Sequence, residues 1–270
     1  WGNTITTDMA IAAIDGESLG ADAVPDLLAL SYSSTDLIGH HMGPRSIEVE
    51  DTYVRLDAEL ARLLAYLDKK VGAGEYTVFL TGDHGVADVP GYLADLKGSA
   101  GYSSMAGLRG WLDERGFASA IDTIREGQLF LKPDAAPGTA DEIARVLNED
   151  PEIACAVSAR RLQEEDGLTG YAKAMARGYM PQRSGDVLFA LRPGFLEGDP
   201  SVEDRGTTHG TDWNYDTQVP VVFYGKGVTP GEVLRRTSIT DIAPTVSAIL
   251  GMTLPNAADG QVVPEVVRTR

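Results

Sequence analysis

The longest periodic pattern of apolar residues in the chain predicts an amphipathic helix. Its apolar positions are Val49, Tyr53, Leu56, Leu60, Leu63, Leu64 and Leu67. They recur at steps of three and four residues, which places them on one face of a helix. Gly72 and Gly74 follow and are predicted to end it. A shorter helix is predicted over residues 6–19 by the same kind of spacing.

Three short apolar runs predict strands. They lie at residues 27–30, 77–80 and 219–224. Uninterrupted apolar runs of this length suit strands buried on both faces of a sheet. The first two runs flank the long helix, and the order strand, helix, strand predicts a parallel sheet with a crossover helix.

The middle of the chain has a different character. Short strands are predicted at 128–131, 153–157 and 187–191, with a helix at 140–147. A last helix is predicted at 240–250, where Thr240 or Asp241 can cap it, Pro244 fits its first turn and Gly251 can end it. We therefore predict an α/β fold. Its parallel-sheet core, flanked by helices, comprises 1–90 and 201–270, and 91–200 form an inserted, smaller α+β cap.

Composition and charge narrow the classes of function. The chain has 270 residues, 43% of them hydrophobic, which is enough for one α/β domain with a cap. A net charge of -17, without a lysine- or arginine-rich run, argues against binding to a nucleic-acid polymer or an anionic membrane. An anionic small substrate stays open, because bound divalent cations can reverse the local field. No apolar run approaches the ~20 residues of a spanning helix.

Cysteine content and the first residue add two expectations. The single cysteine, Cys155, excludes an intrachain disulfide and a cysteine-rich zinc site. Its apolar neighbours predict a buried structural thiol. The chain begins at Trp1 rather than at methionine, so we expect that a signal, a tag or a larger piece of protein preceded it.

Aspartate and histidine form a first cluster that carries candidate chemistry. Asp36 and His40 are four residues apart, so a helical turn would put both side chains on one face. His41 is adjacent and is interpreted as a bystander. Carboxylate oxygen and imidazole nitrogen are ligands of zinc and similar divalent ions. Taken alone, the pair could equally be a capping aspartate and a surface histidine.

Two further segments with candidate metal ligands lie next to predicted strands. One follows a strand and the other precedes one. Asp83 and His84 come directly after the run at 77–80, between two glycines that permit a sharp turn. His209 lies in a glycine- and threonine-rich segment before the run at 219–224. Ligands gather beyond the carboxyl ends of strands in open parallel sheets. Each piece alone could be a polar turn or a loop histidine, but together with Asp36 and His40 they predict a metal site.

The motifs also occur in an order that resembles a known family. Asp36-x-x-Gly-His40-x-x-Gly-Pro44 is followed by Thr81-Gly-Asp-His-Gly85, His209-Gly-Thr, Val219-Pro-Val-Val-Phe-Tyr-Gly225 and Thr240-Asp-Ile-Ala-Pro-Thr245. This resembles the type I phosphodiesterase / nucleotide pyrophosphatase branch of the alkaline phosphatase superfamily. The opening Gly2-Asn-Thr, with Asp8-Met-Ala-Ile-Ala-Ala, is most similar to bacterial alkaline phosphatases that use a threonine nucleophile.

The resemblance implies an enzyme and assigns roles to the five residues. Asp36, His40 and His209 would hold one zinc ion, and Asp83 and His84 would help to hold a second. Two such ions clamp the attacking and leaving oxygens of an in-line displacement. The implied activity is hydrolysis of small-molecule phosphate esters through a covalent phospho-enzyme. The implied location is periplasmic or secreted.

The resemblance also implies what the sequence lacks. Family members are longer at the N-terminus, and that part would supply the nucleophilic threonine or serine and an aspartate of the second metal site. No such motif is visible, so we assign no catalytic residue. Thr4, Thr6 and Thr7 are interpreted as helix or loop residues. The missing segment could be a separate chain. The alternatives are a phosphodiesterase or nucleotide pyrophosphatase of the same superfamily, a catalytically incompetent metal-binding fragment, and a scaffold with a vestigial site.

Overall fold

The computed structural model describes residues 1–198 and 206–268. Its helices are α1 (Gly2–Gly16), α2 (Ser34–Met42), α3 (Ile47–Leu67), α4 (Pro90–Asp95), α5 (Met105–Leu112), α6 (Thr139–Leu147), α7 (Ala159–Glu164), α8 (Gly170–Gly178), α9 (Asn214–Thr217) and α10 (Ile242–Leu250). Its strands are β1 (Thr77–Thr81), β2 (Gly101–Ser103), β3 (Ile121–Arg125), β4 (Gln128–Leu131), β5 (Ile153–Ser158), β6 (Val187–Leu191), β7 (Phe195–Glu197) and β8 (Val221–Gly225). None of these helices is both long and apolar enough to cross a bilayer.

The chain divides into two compact units. Unit 1 comprises 1–38, 46–85 and 218–270, and unit 2 comprises 39–45 and 86–217. Unit 1 contains α1, α3, α10, β1 and β8. Unit 2 contains α4 to α9 and the remaining six strands. The helix α2 begins in unit 1 and ends in unit 2.

The long helix α3 forms where its apolar periodicity predicts it. The Ser46 side chain caps it by accepting a hydrogen bond from the Val49 amide, and Glu48 and Glu50 stand in its positively polarised first turn. A single π-helical turn, Asp68–Gly72, follows it, and Gly72 leaves the helix with a φ of 115°. Helix α1 packs against α3 and buries Ala10 and Ile14 with Leu63.

The sheet of unit 1 differs from the prediction. Residues 27–30 are not a strand, and Leu27 is 69% exposed. Strand β1 pairs with β8 in antiparallel register, so the predicted parallel pairing is wrong for this strand. The strands are also not buried, since Leu80 is 39% exposed and Val222 is 51% exposed. An apolar run predicts that both faces of a strand are covered, but it does not identify the segments that cover them.

Unit 2 contains the larger core. Strands β3, β4, β6 and β5 form an antiparallel sheet in that order, and α6 buries Ile143 and Leu147 against it. The strands predicted at 128–131, 153–157 and 187–191 and the helix at 140–147 are confirmed. Strands β2 and β7 form a separate parallel pair.

The last helix is preceded by a short turn that was not predicted. Ser238 and Asp241 form a capping box around a single 3-10 turn, Ile239–Asp241, and α10 continues from it. Asp241 occupies the N-cap position of α10, as predicted, but its side chain makes no capping hydrogen bond there and instead accepts from the Ser238 amide. Gly251 ends the helix in the left-handed conformation, with a φ of 69°, as predicted.

Candidate metal centre

In unit 1, three predicted metal ligands lie close together. Helix α2 carries Asp36 in its first turn, and Asp83 and His84 follow the end of β1. The Nε2 atom of His84 lies 3.9 Å from Oδ1 of Asp36 and 3.7 Å from Oδ2 of Asp83. These distances are too long for hydrogen bonds, and they are near the roughly 3.3 Å that separates two ligand atoms of one tetrahedral ion. The ligand atoms of Asp36 and His84 are therefore close enough to belong to one metal centre.

A backbone contact of His84 settles which of its nitrogens can bind metal. The Nδ1 atom lies 2.8 Å from the carbonyl oxygen of Gly85. Because a carbonyl oxygen only accepts hydrogen bonds, the proton of a neutral imidazole belongs on Nδ1 and the lone pair on Nε2. The nitrogen with the lone pair is the one that faces the two carboxylates.

In unit 2, His40 has the same arrangement. Its Nδ1 atom lies 2.8 Å from the carbonyl oxygen of Thr207, and the Thr207 amide donates to the His40 carbonyl at 2.9 Å. The Thr207 hydroxyl donates to the carbonyl of Ala87, which fixes the segment further. The imidazole rings of His40 and His209 lie 5.0 Å apart between centroids. Two imidazoles are therefore brought together by residues far apart in the sequence.

Asp216 has a structural role that the sequence did not predict. Its carboxylate is 3% exposed, and Oδ2 accepts hydrogen bonds from the amide and hydroxyl of Thr211, at 2.8 Å and 2.7 Å. Thr211 is two residues beyond His209, so Asp216 fixes the segment that carries this histidine. The only signal in the sequence was a threonine shortly before the short helix α9 and an aspartate within it.

The same region contains buried polar atoms without partners. Within the described residues, Oδ1 of Asp216 and the hydroxyl of Tyr215 are buried and have no hydrogen-bond partner. Burial raises the pKa of Tyr215, so the phenol is neutral. The Trp213 indole donates to the carbonyl of Leu191.

The less favoured candidates have structural roles. Thr6 and Thr7 donate to carbonyls one turn back in α1, which confirms the helix interpretation. His41 is exposed. Three surface arginines form ion pairs with carboxylates: Arg160 with Asp141 and Glu164, Arg161 with Glu165 and Arg235 with Glu265.

The donor set within each unit fits a divalent metal. Unit 1 offers two carboxylates and an imidazole, and unit 2 offers two imidazoles. Metal-binding histidines usually donate their second ring nitrogen to a carbonyl or carboxylate, as His40 and His84 do here. Oxygen and nitrogen donors without thiolates suit zinc and its divalent neighbours.

Comparison with known proteins identifies the relatives. Residues 3–212 match the family described as type I phosphodiesterase / nucleotide pyrophosphatase. The chain is 39% identical over 281 residues to a protein of Myroides odoratus named calcium-transporting ATPase, covering 98% of the chain and 51% of that protein. It is 36% identical over 279 residues to alkaline phosphatase PafA of Elizabethkingia meningoseptica, covering 99% of the chain and 50% of that protein.

Solved structures agree with the sequence comparison. A crystal structure of wild-type alkaline phosphatase PafA matches with a TM-score of 0.90 and 33% identity, over 98% of this chain and 52% of that one. Human ectonucleotide pyrophosphatase / phosphodiesterase 5, at 16% identity and a TM-score of 0.70, shares the fold over 100% of this chain and 66% of that one. The predicted α/β, alkaline phosphatase-like fold is confirmed. The chain spans about half the length of the curated relatives that it matches.

Proposed function

Because the chain belongs to the type I phosphodiesterase / nucleotide pyrophosphatase family, we propose that the protein hydrolyses small-molecule phosphate esters with the help of divalent metal ions. The observation that carries the proposal is the pair of backbone contacts at His40 and His84. Each Nδ1 atom faces a carbonyl oxygen, so each Nε2 atom is the metal-binding nitrogen.

Five residues hold the metal ions in this proposal. Asp36, His40 and His209 bind one ion, and Asp83 and His84 contribute to a second, with zinc as the expected metal. When bound, such ions neutralise the phosphoryl oxygens and stabilise the leaving alkoxide. This assignment follows the family resemblance.

The residues of the chain itself explain why a cation is needed. Asp36 and Asp83 are carboxylates, and the chain carries a net charge of -17. A phosphate ester would be repelled from such a surface until positive charge is bound there. The five ligands are therefore proposed to bind and orient the metal ions, and none of them is proposed as the nucleophile.

The nucleophile is proposed to come from polypeptide that corresponds to the other half of the relatives. A threonine or serine hydroxyl oxygen would form a bond to phosphorus while the bond to the leaving alkoxide breaks, and the alkoxide takes up a proton. Water would then attack the phospho-enzyme and release inorganic phosphate. A periplasmic or secreted location is part of the same proposal.

Monoesters are the proposed substrates, because the chain is 36% identical to proteins named alkaline phosphatase from two bacteria. Diester or pyrophosphate hydrolysis is the second candidate, because the matching family carries that description. The third candidate is that the chain binds metal but has no activity of its own.

Zinc content and turnover of p-nitrophenyl phosphate and bis-p-nitrophenyl phosphate test the proposal. For the 270-residue chain alone we expect bound zinc that a chelator removes, and no turnover. For the chain joined to the other half of a relative we expect turnover that is faster with the monoester and is abolished by chelator. Turnover by the chain alone would overturn the placement of the nucleophile, and absence of zinc binding would overturn the ligand assignment.

A further inference from the structure

Three short segments of unit 2 come together around the imidazoles of His40 and His209. The segment 39–45 carries His40 near the end of α2, and the segment 206–209 carries His209. Between them lies 87–89, called the bridging segment below, which contains no proposed ligand and contacts both of the others. Its contacts therefore bear on the separation of the two imidazoles, which is 5.0 Å between ring centroids.

The bridging segment is hydrogen-bonded to the segment of His209. The Ala87 amide donates to the Thr208 carbonyl at 3.4 Å, and the Thr207 hydroxyl donates to the Ala87 carbonyl at 2.7 Å. Ala87 is 1% exposed and Thr207 is 7% exposed. Buried polar groups that are paired in this way are costly to separate. The bridging segment and the His209 segment therefore form one layer.

An ion pair joins the bridging segment to the segment of His40. The Nε atom of Arg45 lies 2.7 Å from Oδ1 of Asp88, and Nη2 lies 2.9 Å from Oδ2. Two parallel charge-assisted hydrogen bonds fix the orientation of the guanidinium as well as its position. The guanidinium carbon also lies 5.2 Å from the centroid of the Tyr92 ring. Because Arg45 follows α2 closely, the pair ties the end of this helix to the bridging segment.

Gly43 allows the end of α2 to approach the bridging segment. Its φ is 82°, in the left-handed region that favours glycine. A Cβ atom at this position would lie 2.5 Å from Cγ2 of Val89, which is closer than packed carbons can come. The chain therefore turns out of α2 against the bridging segment, and Arg45 follows within reach of Asp88.

We propose that Arg45 and Asp88 are a positioning pair for the imidazoles of His40 and His209. The pair holds the end of α2 on the layer that carries His209, so that His40 keeps its contacts with Thr207. The ligand roles of the two histidines rest on the proposed function, but the contacts of the pair do not. Neither Arg45 nor Asp88 is proposed to bind metal or substrate.

The alternative is an ordinary surface ion pair. The Arg45 side chain is 63% exposed, and exposed ion pairs contribute little to folding stability. A pair with only that role would leave both the tautomer of His40 and the affinity for zinc unchanged when it is removed. A positioning pair would change both while leaving the stability of the fold nearly unchanged. The two interpretations therefore predict different measurements.

The experiment compares Arg45→Gln, Asp88→Asn and the double variant with a matched control, Arg235→Gln. Arg235 and Glu265 form an ion pair of the same bidentate geometry in unit 1, with distances of 2.8 Å and 3.0 Å. Both of their side chains are 46% exposed, so this pair is also a surface pair. Urea unfolding without metal measures the stability of each variant, and we expect the control and the two single variants to be alike.

The first measurement needs no metal. Nitrogen NMR of isotope-labelled histidine reports the tautomer of each imidazole at alkaline pH, where imidazoles are neutral. In the unsubstituted chain we expect the proton on Nδ1 of both His40 and His84. In Arg45→Gln and Asp88→Asn we expect a mixture of tautomers at His40 alone. His84 is the internal control, because its Nδ1 atom faces the Gly85 carbonyl instead.

The second measurement is isothermal titration with zinc. Losing a residue that directly contacts a metal ligand usually costs roughly 10- to 100-fold in affinity, and Arg45 and Asp88 act one step further away. We therefore expect each single variant to bind zinc about threefold to tenfold more weakly. The double variant should be no weaker than the single variants, because either substitution breaks the same link. Arg235→Gln should retain the affinity of the unsubstituted chain.

Three outcomes would overturn the proposal. The first is a His40 tautomer that both single variants leave unchanged. The second is a zinc affinity that Arg235→Gln lowers as much as Arg45→Gln does, which would indicate a general loss of stability. The third is a double variant whose loss is the sum of the single losses, since the two residues would then act separately. A chain that binds no zinc would overturn the ligand assignment instead, and the His40 tautomer would then decide the positioning role.

Discussion

His40 and Thr207 hold each other through two hydrogen bonds. Nδ1 of His40 lies 2.8 Å from the Thr207 carbonyl oxygen, and the Thr207 amide donates to the His40 carbonyl at 2.9 Å. The first contact selects the tautomer with its lone pair on Nε2, and the second fixes the backbone on which the imidazole stands. The geometry of a proposed metal ligand is thus set by a partner 167 residues away.

Removal of a proposed ligand should lower the zinc content. We expect Asp36→Ala and His209→Ala each to lose zinc, because each removes a donor atom that solvent replaces poorly. Zinc at a hundredfold excess over Kd should also stabilise the unsubstituted chain by about 2.7 kcal/mol. Its melting temperature should rise accordingly. Elemental analysis and calorimetry measure both effects. His41→Ala is the control, and a similar loss of zinc from that variant would contradict the assignment.

Loss of the Asp216 carboxylate should loosen the segment that bears His209. Asp216→Ala removes an acceptor from both the amide and the hydroxyl of Thr211, which we expect to cost about 2 kcal/mol of unfolding free energy. Zinc affinity should fall as well, although Asp216 is not a proposed ligand.

Isothermal titration of zinc, together with urea unfolding without metal, separates the two effects of Asp216→Ala. Asp212→Asn, an exposed position in the same segment, is the matched control. Unchanged zinc affinity in a destabilised Asp216→Ala variant would show that the carboxylate has only a structural role.

The contact between Ser158 and Asp141 should make stability depend on pH. The buried Ser158 hydroxyl donates to Asp141 and caps α7, and with Arg160 it lowers the pKa of Asp141. Because the folded pKa is depressed, this stabilisation is present above the unfolded value of about 3.9 and is lost as the pH falls through the folded pKa.

Ser158→Ala should therefore cost about 1 kcal/mol or more at neutral pH, and the difference from the unsubstituted chain should shrink below about pH 4. Urea unfolding at a series of pH values measures it. Ser104→Ala is the control. The Ser104 hydroxyl caps α5 by accepting a hydrogen bond from the Gly107 amide, which does not titrate, so the loss of stability in this variant should not vary with pH. Equal pH profiles of the two variants would contradict the prediction.

Cys155 should react slowly with thiol reagents in the folded protein. It packs against the cluster of Val157, Leu162, Met175 and Leu188, and burial raises its pKa. The thiolate, which is the reactive form, is therefore scarce near pH 8. Labelling with a disulfide reagent should be about tenfold slower or more than in urea-unfolded protein. Equal rates in the two states would show that the thiol is accessible and not held in the core.

The sequence by itself determined the elements whose signals are local. The apolar periodicity of α3 and α6 and the runs that became β4, β5 and β6 were recognised, because the face that a residue occupies repeats within a few positions. The ordered motifs around Asp36 and Asp83 likewise identified the family. These features depend on neighbours in the chain, which the sequence displays directly.

Tertiary structure alone decided which distant segments pair. The runs at 77–80 and 219–224 were recognised as strands, but their antiparallel pairing was not predicted, and the run at 27–30 pairs with no strand among the described residues. The contacts of Thr207 with His40 and of Asp216 with Thr211 were also invisible in the sequence. Pairing and hydrogen-bond geometry depend on the free energy of groups brought together from far along the chain, and no local pattern encodes that.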